Sequence, residues 1–312
     1  MWYKGWGSNS SGWGFGLATS PDGIDWKKIQ EEQIGFIYEN DSSTWEDVAY
    51  LIEVEKVDSL YCLWYTGRDN KRTLRGVGFA KSLDGIHWVK HPDRLRFTDG
   101  TYLPNVSSVL YDGHQFHLWY SNKSEGIIKF IHLNYASSND GITWKKYPGN
   151  PILTVGEAGA WDDQAVTQCD VVFNGEFFEM FYHGWNLVQA QVGYVKSSDG
   201  KAWTKSPHNP VIKASEDGYF DSWLTSYPVA VYHNGVYRVW YYGVTHQGGV
   251  AGYATTSESE ALAWEKDKII KSPRKIRLLA FNKIQFFNVD SLVDVLPELN
   301  RKGKVDAYSN LA

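Results

Sequence analysis

The stretch Trp240-Tyr241-Tyr242-Gly243, followed after a short loop by Ala251-Gly252-Tyr253-Ala254-Thr255, decides the fold, because the chain carries five versions of it. Trp2-Tyr3-Lys4-Gly5 leads to Gly16-Leu17-Ala18-Thr19, and Trp64-Tyr65-Thr66-Gly67 leads to Gly78-Phe79-Ala80-Lys81. Trp119-Tyr120-Ser121 leads to Asn134-Tyr135-Ala136-Ser137, and Phe181-Tyr182-His183-Gly184 leads to Gly193-Tyr194-Val195-Lys196. A turn and a tryptophan follow each copy: Ser20 to Trp26, Ser82 to Trp88, Ser138 to Trp144 and Ser197 to Trp203. The fifth, Ser257 to Trp264, lacks the Asp-Gly pair of the others. The closing tryptophans are 62, 56, 59 and 61 residues apart. A period of that size, built from short strands, means a radial or stacked repeat.

Each copy reads as four antiparallel strands. The first is an apolar run, such as Val171-Val172-Phe173 or Val229-Ala230-Val231-Tyr232. Asp112-Gly113, Asn174-Gly175 and Asn234-Gly235 then supply hairpin turns. The Trp-Tyr run is the second strand, the Gly-Tyr-Ala-Thr run the third, and the closing tryptophan sits on a short fourth. Four-stranded sheets repeated radially are the blades of a propeller, which leaves only short protected edges. The expected fold is therefore all-β, a five-bladed β-propeller of four-stranded antiparallel blades over residues 1–270. The first copy begins at its second strand. Residues 271–312 form a C-terminal extension with strand-like runs at 275–281 and 284–289, a short helix at 291–299 and a polar tail. Either one of these runs closes the ring in the vacant place of blade 1, or the chain is N-terminally incomplete and the extension is a separate appendage.

Composition narrows the functional classes. The chain has 15 Trp, 20 Tyr and 14 Phe among 312 residues, a skew that suits packed sheet faces and sugar-stacking surfaces. A net charge of −5 offers no electrostatic footprint for nucleic acid or an anionic membrane. No run of 18 apolar residues exists to span a bilayer. Met1-Trp2-Tyr3 starts inside a repeat without a charged n-region and an apolar h-region, which points to a cytoplasmic location. Cys62 and Cys169 lie in apolar runs of different repeats and read as buried thiols. The oligomeric state is not legible.

Antiparallel order sorts the loops onto two faces. The Ser-x-Asp-Gly turns share one face, and an Asp capping its own turn explains them structurally. The other face collects the starts of first strands and the loops between second and third strands. It gathers Trp45-Glu46-Asp47, Asn105, Trp161-Asp162-Asp163, Gln168, Phe220-Asp221-Ser222-Trp223 and Tyr227, together with Arg68, His183, Trp185 and His246. Aromatic rings stack on sugar C–H faces while acids and amides bind hydroxyls, and two facing carboxylates can act as acid and base on a glycosidic bond. Asp47 and Asp163, which break the repeat, are the expected catalytic pair; Asp170 also breaks it. Glu46, Arg68, Asn105, Asp162, Gln168, His183, Trp185, Asp221, Trp223, Tyr227 and His246 are the expected substrate-binding or pKa-modulating groups. Glu46, Asp162 and Asp221 recur in register after an aromatic residue, so a structural cap is the competing reading for them. No metal motif is present and no cofactor is expected; axial carboxylates could hold Ca²⁺, but there is no dedicated loop for it.

The Trp-Tyr-x-Gly, Gly-Tyr-Ala-Thr-Ser and Asp-Gly-x-x-Trp phrases resemble the five-bladed propeller superfamily of glycoside hydrolases, families 43, 32, 62, 68 and 130. The resemblance covers about residues 1–270. It implies a catalytic Asp at the innermost strand of blade 1, a pKa-tuning Asp in blade 2 and a general-acid Glu in blade 3. Here the blade 1 position is absent unless the extension supplies it, with Asp290 the nearby candidate. Blade 2 offers Glu46 and Asp47, and blade 3 has Asn105 where an acid is expected. Two functions follow as expectations. One is a glycoside hydrolase-like protein acting on a glycoside or oligosaccharide by carboxylate chemistry. The alternative is a non-catalytic carbohydrate-binding or scaffold propeller.

Overall fold

In the computed structural model each copy of the repeated phrase closes on itself as an antiparallel sheet. The structure describes residues 2–6, 13–21, 26–29, 45–46, 48–69, 74–124, 130–215, 219, 221–233, 235–245 and 248–257. The first copy gives β1 (Trp2–Trp6), β2 (Trp13–Thr19) and β3 (Lys27–Lys28). The second gives β4 (Val48–Val57), β5 (Leu60–Arg68), β6 (Arg75–Ser82) and β7 (Val89–Lys90), hydrogen-bonded in that order. A short β8 (Arg96–Phe97) precedes the third, which contains β9 (Ser108–Tyr111), β10 (Phe116–Lys123), β11 (Ile131–Ser138) and β12 (Thr143–Lys146). β8 lies parallel beside β12. The fourth copy gives β13 (Ala165–Phe173), β14 (Phe178–Trp185), β15 (Ala190–Ser197) and β16 (Thr204–Lys205). The fifth gives β17 (Leu224–His233), β18 (Val236–Thr245) and β19 (Gly248–Ser257). A single parallel pairing, Ile131 with Ala165, joins the third and fourth sheets into one continuous path. Among the described residues the fold is all-β and contains no helix. The strand runs at 275–281 and 284–289 and the helix at 291–299 lie outside them, as does Asp290.

The register explains the repeated phrase. The tyrosine of the phrase pairs with a glycine of the third strand in four copies, Tyr3 with Gly16, Tyr65 with Gly78, Tyr182 with Gly193 and Tyr241 with Gly252, and in the third copy Tyr120 pairs with Asn134. A Cβ on Gly193 would run into the Tyr182 ring, so only glycine lets the ring lie flat across the neighbouring strand. Gly184, which ends the phrase, makes room in the same way for the Trp161 ring. Trp161 and Trp45 therefore pack on Tyr182 and Tyr65, at ring-centroid distances of 5.6 and 6.3 Å.

The tryptophan of the second strand stitches one sheet to the next. Trp64 Nε1 donates to the Gly141 carbonyl at 2.7 Å, and Trp119 Nε1 to that of Gly200 at 2.9 Å. Both acceptors sit in Ser-x-Asp-Gly turns, in which Asp140 Oδ1 and Asp199 Oδ1 each accept two backbone N–H bonds. The same two tryptophans meet the next sheet's closing tryptophan edge to face. Trp64–Trp144 is 6.4 Å at 72°, and Trp119–Trp203 is 6.3 Å at 73°. Trp240 of the fifth sheet makes the equivalent contact with Trp26 of the first, 6.4 Å at 78°.

Buried carboxylates tie the inner strands together. Asp170 on β13 accepts from Ser108 Oγ on β9 at 3.1 Å and from Ala230 N on β17 at 2.7 Å. Glu55 on β4 accepts from Tyr111 N on β9 at 3.1 Å. Desolvation raises Asp170 to about 6 and Glu55 to about 7. Asp170 thus belongs to the joint between three sheets. Cys62 and Cys169 are buried free thiols.

Candidate functional site

Ladder pairing fixes which loops share an end of the sheets. On β14, Phe178 pairs with Phe173 and Ser197 at one end, and Trp185 with Ala165 and Ala190 at the other. The Ser-x-Asp-Gly turns lie at the first of these ends. The starts of β4, β13 and β17 lie at the second, beside the ends of β5, β14 and β18. The expected site residues that are described fall near this second end, but they divide into three groups.

Glu46, Asp162 and Asp221 form the first group and are built into the sheets. Glu46 accepts from the Tyr65 hydroxyl and pairs with Lys90 Nζ. Asp162 accepts from the Tyr182 hydroxyl at 3.0 Å and from Lys205 Nζ at 2.6 Å. Asp221 accepts from the Tyr241 hydroxyl at 3.0 Å. All three carboxylates are buried, and each joins the lead-in of an inner strand to the second strand of its own sheet. Lys90 and Lys205 both stand two residues after a closing tryptophan. Lys266 occupies that place in the fifth copy and lies outside the described residues, while Asp221 Oδ1 has no hydrogen-bond partner among them.

The second group consists of polar side chains at the strand ends, Asn105 bonded across its hairpin and Asp163 within its own loop. Asn105 is buried, donates to the Ser121 carbonyl at 2.6 Å, and accepts from Ser121 N at 3.0 Å. A carboxylate has no proton for that carbonyl, which is a physical reason for an amide at the place where the resemblance expects an acid. Asp163 is half-buried and caps its loop, Oδ2 accepting from Gly159 N at 2.8 Å and Oδ1 from Gln164 Nε2 at 3.2 Å. Arg68, half-buried, closes β5 opposite Val48 and Arg75.

The third group is set by breaks in the ladder. β4, β13 and β17 each lose register a few residues in, between Tyr50 and Ile52, between Thr167 and Cys169 and between Ser226 and Val229. In the latter two breaks Gln168 and Tyr227 are held at φ +30° and +50°. Left-handed backbone costs a side-chain-bearing residue about 1 kcal/mol or more, and bulges of this kind re-aim a side chain. The Tyr227 ring stands edge-on to His183, 5.7 Å away at 83°, and lies 6.4 Å from Tyr242. His183 pairs through its backbone with Thr167, immediately before the Gln168 bulge. It is only 8% exposed, its Nδ1 has no hydrogen-bond partner among the described residues, and burial lowers it to about 4. Two residues on, Trp185 is 38% exposed. Trp223 is half-buried against Ala190, Leu224 and Val244. Asp47 and His246 lie outside the described residues. Among the described residues no group of three or more His, Cys, Asp or Glu side chains is placed to hold a metal ion.

The bulges were not legible in the sequence, because nothing in Val166-Thr167-Gln168 or Ser226-Tyr227-Pro228 marks an extra residue before the pairing is seen. The pairing of acids with fourth-strand lysines did leave a signal. Trp-x-Lys recurs in all five copies, at 26–28, 88–90, 144–146, 203–205 and 264–266, and so includes the three that carry Glu46, Asp162 and Asp221.

Solved structures share this arrangement across most of the chain. A glycoside hydrolase superposes with a TM-score of 0.63 at 18% identity, covering 78% of each chain. The fold is that of the propeller-type glycoside hydrolases. An N-acetylgalactosamine deacetylase from F. plautii, in complex with blood group B trisaccharide, gives a TM-score of 0.58 at 18% identity, covering 80% of this chain and 83% of that one. A structure from glycoside hydrolase family 130, a family of mannoside phosphorylases that contains glycoside hydrolases targeting β-1,2-mannosidic linkages in Candida mannan, gives 0.58 at 16% identity, covering 79% and 76%. At these identities the likeness is one of fold. In sequence, an uncharacterised protein found in two Mycobacterium tuberculosis strains is 31% identical over 99 residues. That segment is 30% of this chain and 32% of the relative, so the match spans about a third of the relative's length. No family model matches the chain.

Proposed function

We propose that the chain is a five-bladed, carbohydrate-active propeller that acts on a glycoside or oligosaccharide at the bulged end of its inner strands. The observation that carries this reading is the positive backbone φ at the register breaks of Gln168 and Tyr227. Neighbouring inner strands accept unfavourable backbone at equivalent places, next to a buried histidine, at the end where the fold gathers its acids and exposed tryptophan. Closure of five sheets into a ring is supported by the Trp26–Trp240 contact, whose geometry matches the joints between consecutive sheets.

The chemistry that fits is hydrolysis by two carboxyl groups. One gives a proton to the glycosidic oxygen as the bond to the anomeric carbon breaks, and water adds to that carbon. Either the second carboxylate takes the water's proton, or it first forms and then releases a glycosyl ester. Asp47 and Asp163 are the groups proposed for these roles. Asp163 is half-buried, and small loop donors hold its carboxylate in place. Glu46, Asp162 and Asp221 instead hold the sheets on which the loops stand. A second reading, a propeller that binds sugar without turnover, is favoured by Asn105, whose amide is fully engaged with Ser121 where a general acid would be needed.

The test is hydrolysis of a panel of aryl glycosides and oligosaccharides, with thermal-shift binding measured alongside. Turnover that is lost in both Asp47→Asn and Asp163→Asn supports the enzyme. Stabilisation by a sugar without turnover selects the binding reading. A protein that neither turns over nor binds any member of the panel is not carbohydrate-active.

A further inference from the structure

We infer that the bulged end of β13, β14 and β17 is a subsite for an uncharged sugar ring, with His183 as its hydrogen-bonding group and Tyr227 as its aromatic wall. The inference rests on the carbohydrate reading and adds the part of the ligand that this wall takes.

Charge decides the class. The ends of the four strands that meet here are Ala165-Val166-Thr167-Gln168-Cys169, Phe181-Tyr182-His183-Gly184-Trp185, Leu224-Thr225-Ser226-Tyr227 and Tyr241-Tyr242-Gly243-Val244. None contains Lys, Arg, Asp or Glu. The acids of the adjoining lead-ins, Asp162 and Asp221, are turned to Tyr182 and Tyr241. The other described charges nearby, Asp163 on the lead-in and Asp170 and Glu53 beside Cys169, are all acidic, and their sign disfavours an acidic ligand. A uronate or an ammonium group set against this wall would lose its hydration with no opposite charge in return. A neutral sugar loses little, because its hydroxyls both donate and accept.

His183 supplies the matching group. Burial keeps its imidazole neutral at neutral pH, with one ring nitrogen a donor and the other an acceptor. Nδ1 is sealed off without a partner among the described residues, so the ligand contact is assigned to Nε2. A hydroxyl suits Nε2 in either tautomer. A histidine that served only as packing would leave its buried hydrogen-bonding capacity unused at a net cost that an isosteric phenylalanine avoids. Tyr227 points to the same conclusion from the backbone. At φ +50° glycine would be the unstrained residue, so a tyrosine persists there because its ring is needed.

The test uses the full chain and isothermal titration with methyl glycosides of glucose, galactose, mannose, xylose and arabinose, alongside methyl glucuronide and methyl galacturonide. The wild type is expected to bind at least one neutral glycoside about tenfold or more tighter than either uronide. His183→Phe should weaken that glycoside by about tenfold or more, while His183→Gln, which keeps a polar group near the Nε2 position, should stay within about threefold. Tyr227→Gly should lose binding, while Tyr227→Phe, which keeps the ring and its packing, should stay within about threefold. Uronides binding as tightly as neutral sugars, or neutral-sugar affinity unchanged in both His183→Phe and Tyr227→Gly, overturns the subsite and leaves the carbohydrate reading standing. No binding by any glycoside, neutral or acidic, overturns both.

Discussion

Asp170→Asn is the perturbation whose outcome can be worked furthest from the structure. Asp170 is buried where β9, β13 and β17 meet, and desolvation raises its carboxyl from 3.8 to about 6 against the pull of three donors, Ser108 Oγ, Ala230 N and Val171 N. The folded state therefore keeps this proton to higher pH than the unfolded chain does. Between the two values the unfolded chain binds fewer protons, so stability falls as pH rises through that window. A shift of about two units corresponds to about 3 kcal/mol at about 1.36 kcal/mol per unit. About 2 kcal/mol of it develops between about pH 4.5 and pH 7.5. Asparagine removes the charge; its oxygen can face Ala230 N and its amide donate to Ser108 Oγ, at the loss of the bond from Val171 N, a cost that does not change with pH. Urea unfolding of wild type and variant at the two pH values gives the difference directly. The variant should gain about 2 kcal/mol on the wild type from the lower pH to the higher. The slope from Glu55, also raised, is present in both proteins and largely cancels. A gain of zero, or a loss, would mean that the three donors outweigh burial and that Asp170 is ionised in the joint, which refutes the reasoning.

Two further predictions concern the sheets and their closure. Lys205→Met should cost about 2 kcal/mol in urea unfolding, because it leaves the buried Asp162 carboxylate with the Tyr182 hydroxyl alone, and should leave sugar affinity unchanged; weakened sugar binding at unchanged stability would return Asp162 to the ligand site. In a double-mutant cycle, Trp26→Ala and Trp240→Ala should couple by about 1 kcal/mol, as should Trp119→Ala and Trp203→Ala; no coupling in the first pair, with coupling in the second, would mean that the ring is open in solution.

The repeat was legible because its residues are there for backbone reasons. Gly193 and Gly184 are required by the rings of Tyr182 and Trp161, and the Asp-Gly turns by their own hydrogen bonds, so residue type and spacing carried the strand order and the sorting of loops. Site assignment was harder for a reason visible in Asp162. An acid beside an aromatic residue reads the same whether it faces a ligand or a tyrosine hydroxyl and a lysine from its own sheet, and only the fold brings Lys205 to it from 43 residues away. Asn105 shows the converse, since its partner Ser121 lies across a hairpin that the sequence did outline. Gln168 and Tyr227 were named from their place on the inner strands, whereas the bulges that give them positive φ depend on register against β14 and β18. The burial of His183 depends on Tyr227 arriving from another sheet.

The most direct test of the central claim is a crystal structure of the full chain soaked with whichever methyl glycoside binds most tightly. The account predicts a sugar ring at the bulged end of the inner strands, within hydrogen-bond distance of His183 Nε2 and beside the Tyr227 ring. A sugar bound among the Ser-x-Asp-Gly turns at the opposite end, or on the outer strands, would contradict it.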